Sequence, residues 1–213
     1  EFLRSPQLKK AAQLIAKRLG RPLLPFDIWY DGFKARSNIN LEEMDQVLTQ
    51  KYPNTAAFES DLRNILFKLG FSPVKADFIA SKIAVDPARG AGHAWGAQMK
   101  SEKARLRTRI PKTGMDYKGF NIAMHEFGHN VEQTLTLNKV DYYMLQGVPN
   151  TAFTEAFAFV FQERDMEMLG IDTSDPNRKH LQALDLLWST HEIMGVSLVD
   201  MKVWNWMYEH PKA

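Results

Sequence analysis

The sequence predicts a mainly α-helical fold with a small β element placed before its central helix. Two observations lead to this prediction. Apolar residues recur at the i, i+3, i+4 spacing of a helix through most of the chain, and one glycine- and proline-containing stretch, 86–119, breaks that spacing. With 213 residues, 45% of them hydrophobic, the chain is long enough for one sizeable core. We therefore expect a single domain over 1–213.

Four amphipathic helices are predicted before the break, covering 7–19, 41–52, 55–69 and 73 to about 84. Gly20 follows the first helix, where a left-handed residue commonly ends a helix. Asn40 is placed to cap the second helix, and Pro73 lies in the first turn of the fourth, where proline is tolerated. Residues 21–32 hold two prolines and several aromatic side chains, which is typical of a packed loop.

Alternation replaces helical spacing inside the break. It runs through Arg105, Leu106, Arg107, Thr108, Arg109 and Ile110. This pattern predicts a small strand pair. A row of arginines can bind phosphate, but we favour a solvated strand face whose arginine stems cover apolar neighbours. Because the net charge is only +2, nucleic acid is not an expected partner.

Helical spacing returns after Asp116. The predicted helices cover 120–135, 152–169, 177–195 and 196–208. No apolar run approaches the length that a bilayer requires, so no membrane span is expected. The chain has no cysteine, so any metal would be bound by histidine and carboxylate side chains.

The central helix contains His125-Glu126-Phe127-Gly128-His129, which matches the pattern H-E-x-x-H. Residues four apart lie one above the other on a helix, so the two imidazoles face the same point. Two neutral histidines bind zinc readily, and the adjacent carboxylate of Glu126 can deprotonate a zinc-bound water. The alternative is a pair of surface histidines beside an unrelated glutamate.

A third ligand is predicted at Glu155. It stands alone as a carboxylate in the apolar run 152–161, so we expect it to be buried. A buried carboxylate needs compensation, which a zinc ion supplies directly and a distant basic side chain supplies as the alternative. His125, His129 and Glu155 would then bind one Zn²⁺ per chain and leave one position open, as in catalytic zinc sites.

These residues give the sequence its resemblance to a known family. The motif His125–His129, followed by a glutamate on a second helix, resembles the gluzincin zinc metallopeptidases, and most of all the oligopeptidase family of thimet oligopeptidase and neurolysin. Segments 25–30, 89–94 and 199–201 resemble segments of the same oligopeptidase family more weakly. The segment 147–155 is similar, more distantly, to angiotensin-converting enzyme. The resemblance implies a zincin-like helical metallopeptidase catalytic domain.

The resemblance also implies a function. It makes Glu126 the general base and proton shuttle of a peptidase that hydrolyses oligopeptides with a zinc-bound water. Gly90, Gly92 and His93 would bind the substrate backbone, although His93 is equally well explained as a structural histidine. Tyr142 and Tyr143 are candidate oxyanion donors, or else core aromatic residues. One alternative function is a catalytically incomplete fragment or module that binds peptide and zinc without efficient turnover. Another is a hydrolase on the same zinc site that acts on a bond other than a peptide bond.

Two departures from the family pattern are visible. Ala158 and Phe159 stand where many gluzincins have a serine or aspartate that supports the zinc ligands, so this support must come from elsewhere. No glycine- and tyrosine-rich segment follows the last predicted helix, which is apolar around much of its circumference. We therefore expect the chain to be the metal-binding core of a longer peptidase and to pack against a further C-terminal segment.

Overall fold

The computed structural model describes residues 1–34, 40–147, 150–171 and 176–211. The chain divides into two compact units, one formed by Glu1–Ile39 with Thr173–Ala213 and the other by Asn40–Asp172. Each unit is considered by itself below. The single domain expected over 1–213 stays a prediction.

The described chain is mainly helical, as the sequence predicts, with one three-stranded sheet. Its helices are α1 (Pro6–Leu19), α2 (Leu41–Lys51), α3 (Thr55–Lys68), α4 (Pro73–Ser81), α5 (Tyr117–Lys139), α6 (Thr151–Gln162), α7 (Asp165–Met168) and α8 (Arg178–Glu209). Its strands are β1 (Ile83–Ala88), β2 (His93–Trp95) and β3 (Ala104–Arg109). Among the described helices, none combines the length and apolar character that crossing a bilayer requires.

The unit built from both ends of the chain packs α1 against α8. Its core consists of Leu8, Ala11, Ile15, Phe33 and Trp188. The Trp188 indole donates a hydrogen bond to the backbone carbonyl of Asp27, over 3.2 Å. Asp27 also forms a bidentate ion pair with Arg21, at 2.7 and 2.8 Å, and this hydrogen-bonded pairing lowers the pKa of the Asp27 carboxyl. These contacts order the predicted loop, which contains a 3₁₀ turn over Pro25–Trp29.

The two helices predicted over 177–195 and 196–208 form one continuous helix, α8. Gly195 lies inside it, and a single glycine costs only about 1 kcal/mol relative to alanine within a helix, so it does not end one. Trp188 is the one described residue of α8 that is buried. Many apolar side chains beyond Gly195, including Val199, Trp204 and Trp206, are largely exposed.

The central unit begins with the predicted helical segment α2–α4. Asn40 caps α2 by accepting a hydrogen bond from the Glu42 N–H, and Asn54 caps α3 in the same way through the Ala57 N–H. Helix α3 buries Phe58, Leu62, Ile65 and Leu66. The ring of Tyr52 stacks on Phe120 of α5, with centroids 5.9 Å apart, and joins this segment to the central helix.

The predicted strand pair is part of a larger sheet with the order β1-β3-β2. Strand β1 runs parallel to β3, and β2 runs antiparallel to β3 at the edge of the described sheet. The prediction that Ile83 and Ala84 end the fourth helix is wrong, because they begin β1. Ile83 and Val85 are β-branched and buried, which favours a strand at this position.

The arginines of β3 lie on its more exposed face, as predicted, while Leu106 and Thr108 are buried. Arg105 pairs with Asp86 at 3.3 Å, and Arg109 pairs with Asp116 at 3.0 Å. Arg107 lies over the ring of Trp95, with its guanidinium carbon 4.8 Å from the ring centroid. Each of the three arginines therefore has a partner within this unit.

The helix predicted over 152–169 is interrupted. Helix α6 ends at Gln162, and the short helix α7 begins at Asp165. Arg164, between them, donates to the backbone carbonyls of Leu69 and Lys68 at 3.2 and 3.4 Å. Asp165 turns into the protein and is 4% exposed. The break therefore places a carboxylate inside the unit, a consequence that the helical spacing does not reveal.

Candidate metal centre

Helix α5 carries the H-E-x-x-H motif, and hydrogen bonds to neighbouring side chains fix its N-terminus. Its N-cap, Asp116, accepts a hydrogen bond from the Gly119 N–H at 2.7 Å, and Asp45 of α2 accepts one from the Tyr117 N–H, also at 2.7 Å. One face of α5 is buried, through Phe120, Ala123, Met124, Phe127 and Val131. His125 and His129 lie beside this face and are partly exposed.

Gly128 allows α6 to approach α5 closely. A Cβ atom at this position would lie 2.6 Å from the Cα of Ala158, a separation that packed atoms do not tolerate. Glycine is therefore required here by the backbone of α6. Glu155 lies three residues before Ala158, about one helical turn away, so the same approach brings its side chain to the histidines.

The structure brings the three predicted ligands together. His125 Nε2 and His129 Nε2 are 3.2 Å apart. The two oxygens of Glu155 divide between them: Oε2 lies 3.2 Å from His125 Nε2, and Oε1 lies 3.4 Å from His129 Nε2. One ligand atom from each residue can be chosen so that all three lie within 4.8 Å of one another.

These separations fit a zinc ion. Ligand atoms about 2.0–2.1 Å from a tetrahedral zinc lie about 3.4 Å from one another, close to the distances between neighbouring atoms of this cluster. Two imidazole nitrogens and one carboxylate form a donor set that suits zinc better than it suits calcium or magnesium. The ligand roles of His125, His129 and Glu155 stay predictions, and the geometry suits them.

The expectation that Glu155 is buried is wrong. Its side chain is 45% exposed, and Phe153, Phe159 and Val160 on the same helix are more than half exposed as well. The argument that a buried carboxylate requires compensation therefore does not apply at this residue. Its position next to two imidazoles is the better reason to regard Glu155 as a ligand.

Glu126 lies beside the cluster, and its partial burial makes the ionised form of its carboxyl group less favourable. Burial raises the pKa of Glu126 above its ordinary value, while the nearby His125, His129 and His93 act in the opposite direction. A Cβ atom at Gly92 would lie 3.0 Å from the Cγ of Glu126 and 2.3 Å from Ile122. Gly92 therefore serves a close approach of the chain to α5, whatever its relation to substrate.

The other predicted substrate-binding residues are distributed around this region. His93 begins the edge strand β2 and is close enough to Glu126 to influence its pKa. Gly90 lies in the exposed bend before β2, where a Cβ atom would meet nothing within 4 Å. Tyr142 and Tyr143 are 66% and 78% exposed, so they are not core residues. Their predicted contacts with substrate stay predictions.

Sequence reasoning missed the groups that support His125. Its Nδ1 atom lies 3.0 Å from Oε1 of Gln162, at the end of α6. The Gln162 amide donates to Asn121 at 2.7 Å, and the Asn121 amide donates to Asp165 at 2.7 Å. We call Gln162, Asn121 and Asp165 the amide relay. One signal was available: Asn121 precedes His125 by four residues and therefore lies on the same face of α5.

The fold and the site together describe a mainly helical protein with a small mixed sheet and a candidate His₂Glu metal centre. Comparison with known proteins goes no further: no family model, no curated protein and no solved structure matches this chain.

Proposed function

We propose that this protein is a zinc-dependent peptidase that hydrolyses oligopeptides, with His125, His129 and Glu155 as zinc ligands and Glu126 as general base. The observation that carries the proposal is the convergence of three donor groups, 3.2 to 3.4 Å apart, beside a partly buried carboxylate. Zinc bound there would polarise the peptide carbonyl and make water a better nucleophile.

The chain's own residues account for the proton transfers. Glu126 takes a proton from the attacking water as the water oxygen bonds to the carbonyl carbon. The same carboxyl group then delivers that proton to the nitrogen of the leaving amine as the C–N bond breaks. Partial burial suits Glu126 to both steps. A carboxyl group with a raised pKa is a stronger base toward water, and it holds the proton more firmly until the leaving amine takes it.

Peptide as the substrate class is supported by two features. The family resemblance implies oligopeptides, and the edge strand β2 lies beside α5 with His93 and Trp95 exposed. An extended peptide can align with such a strand, since backbone hydrogen bonds recognise any sequence. Gln133 of α5 donates to the Ala94 carbonyl at 3.4 Å and holds the strand against the helix.

Hydrolysis of a quenched-fluorescent oligopeptide library by the zinc-loaded chain tests this proposal. Glu126→Gln is expected to reduce the rate by about 10²- to 10⁴-fold, the usual contribution of a general base, while one zinc per chain is retained. Glu102→Gln, in the turn before β3, is the matched control and should leave the rate unchanged. Equal hydrolysis by Glu126→Gln and the unaltered chain would refute the role of Glu126.

A module that binds peptide without efficient turnover is the second candidate. The observation that favours it is the high exposure of Tyr142 and Tyr143, because few neighbouring side chains hold the predicted oxyanion donors in one position. This function predicts that the zinc-loaded chain binds library peptides without cleaving them. Cleavage that depends on Glu126 would exclude it.

A further inference from the structure

We propose that Asp165 fixes the tautomer of His125 through the amide relay, so that the imidazole carries its proton on Nδ1 and presents Nε2 to a metal. The role given to this tautomer rests on the zinc site proposed above, but the tautomer itself is a property of the metal-free protein. Asp165 and Gln162 would then be positioning residues, acting on the site through His125.

The polarity of the relay begins at Asp165. This carboxylate is buried and receives three hydrogen bonds, from the Tyr117 hydroxyl at 2.6 Å, the Asn121 side-chain amide at 2.7 Å and the Met166 N–H at 2.6 Å. An ionised carboxylate only accepts hydrogen bonds. Asn121 must therefore turn its NH₂ group toward Asp165 and its carbonyl oxygen away.

Each later bond follows from the one before it. The Asn121 oxygen needs a donor, and Gln162 supplies its Nε2 at 2.7 Å. Gln162 is then oriented with its oxygen toward His125 Nδ1, 3.0 Å away. An amide oxygen cannot donate, so His125 Nδ1 must carry the hydrogen. In the neutral imidazole, Nε2 is left with a free lone pair.

That lone pair points into the candidate metal centre. His125 Nε2 faces His129 Nε2 at 3.2 Å and Glu155 Oε2 at 3.2 Å. A lone pair on Nε2 is what a metal ion at this point requires of His125. The relay therefore prepares the site for a metal ion, because it removes the tautomer in which Nε2 would carry a proton.

The relay supplies the support that the sequence lacks at Ala158 and Phe159. Zinc-binding histidines usually donate their second N–H to a carboxylate or carbonyl, and loss of such a partner typically reduces metal affinity 10- to 100-fold. Here the carboxylate acts over two amides instead of directly. Tyr117, Asn121 and His125 follow one another at intervals of four on α5, which holds the chain of bonds along one side of the helix.

Long-range ¹H–¹⁵N correlation spectra of the metal-free, full chain test the tautomer directly. The His125 signals are assigned from their loss in His125→Gln. We expect the Nδ1–H pattern for His125 in the unaltered chain and a shift toward a mixture of tautomers in Asp165→Asn, since asparagine can donate as well as accept. Tyr117→Phe, which removes one bond to Asp165 without changing the polarity of the relay, should retain the Nδ1–H pattern.

Zinc affinity, measured by competition with a chelator, supplies the second measurement. Gln162→Met, which removes the amide at similar volume, should weaken zinc binding about 10- to 100-fold. Asn138→Leu, which removes an amide bonded to the Thr134 carbonyl of α5, is the matched control and should bind zinc as the unaltered chain does. Circular dichroism of every variant verifies that the fold is retained.

Two results would overturn the proposal: an Nε2–H tautomer of His125 in the unaltered metal-free chain, or an unchanged tautomer and zinc affinity in Gln162→Met. The proposed function fails in a different way. A chain with the Nδ1–H tautomer that binds no zinc would support the relay and refute the zinc site. A chain that binds zinc without cleaving peptide would refute the peptidase and leave the relay intact.

Discussion

At the scale of one residue, the burial of Glu126 suits its proposed role as a base but lowers the stability of the folded chain. Burial raises the pKa of this carboxyl group, so its ionised form is less favourable in the folded chain than in the unfolded one. In the metal-free protein this group therefore favours the unfolded state increasingly as the pH rises from the ordinary glutamate pKa, about 4.3, through the raised value. Above both values the cost is constant.

Glu126→Gln removes this cost because glutamine carries no charge. We expect the metal-free variant to have a higher thermal midpoint than the unaltered chain at neutral pH, and the difference to vanish in acid, where both side chains are neutral. Thermal unfolding followed by circular dichroism across a pH series measures it. A lower midpoint for the variant at neutral pH would mean that attraction to the neighbouring histidines outweighs burial.

At the scale of elements, the contact between α5 and α6 depends on one missing methyl group. Gly128→Ala would place a Cβ atom 2.6 Å from the Ala158 Cα, so the helices must separate. Overpacking of this kind costs about 1–3 kcal/mol, and we expect weaker zinc binding as well because Glu155 moves with α6. Urea unfolding and chelator competition measure the two effects.

Gly195→Ala is the matched control for that substitution. Gly195 also lies inside a helix, α8, but a Cβ atom there meets nothing within 4 Å. Alanine should therefore stabilise the chain by up to about 1 kcal/mol through its higher helix propensity. If both substitutions destabilised the protein equally, the close approach at Gly128 would not be the cause.

The elements that sequence could predict are those whose signals are local. Gly20, Asn40 and Pro73 mark helix ends within one turn of the residues they affect, and the structure confirms the ends they predict. The pairing of β1 with β3 joins residues about twenty positions apart, and alternation in one strand does not identify its partner. The break before α7 depends on bonds from Arg164 to α3 and its end, which helical spacing does not encode.

The site divides in the same way. His125, Glu126 and His129 have a motif, and Glu155 stands out as a carboxylate among apolar residues, so sequence reasoning reaches all four. Asn121 precedes His125 by four residues, but Gln162 has no such spacing to the motif, and the bond between the two amides becomes visible only when α6 is packed on α5. The exposure of Glu155 was missed because an apolar helix need not be enclosed on every side.

At the scale of the whole molecule, metal binding and stability are linked. The three proposed ligands come from two helices of the unit Asn40–Asp172, so zinc bound by all three would bind the folded arrangement and not the unfolded chain. At a free zinc concentration 100 times the Kd, the expected stabilisation is about 2.7 kcal/mol. Thermal midpoints measured over a range of zinc concentrations should rise accordingly.

Two comparisons make this prediction specific. Glu155→Ala should lose most of the gain, because one of the three ligands is removed. Magnesium should give none, since it prefers oxygen ligands in octahedral geometry. A zinc-dependent rise that is equal in Glu155→Ala and the unaltered chain would place the bound ion elsewhere.

On α5 and α6, the side chains of the candidate metal centre and of the two relay amides are spaced by helical turns. Tyr117, Asn121, His125 and His129 follow one another in steps of four on α5, and Glu155 and Gln162 are seven apart on α6. One inserted or deleted residue rotates everything beyond it by about 100°. A length change within either stretch would disconnect ligands from their supports even if every side chain were kept. Related chains that share this chemistry are therefore expected to differ in length only outside 117–129 and 155–162.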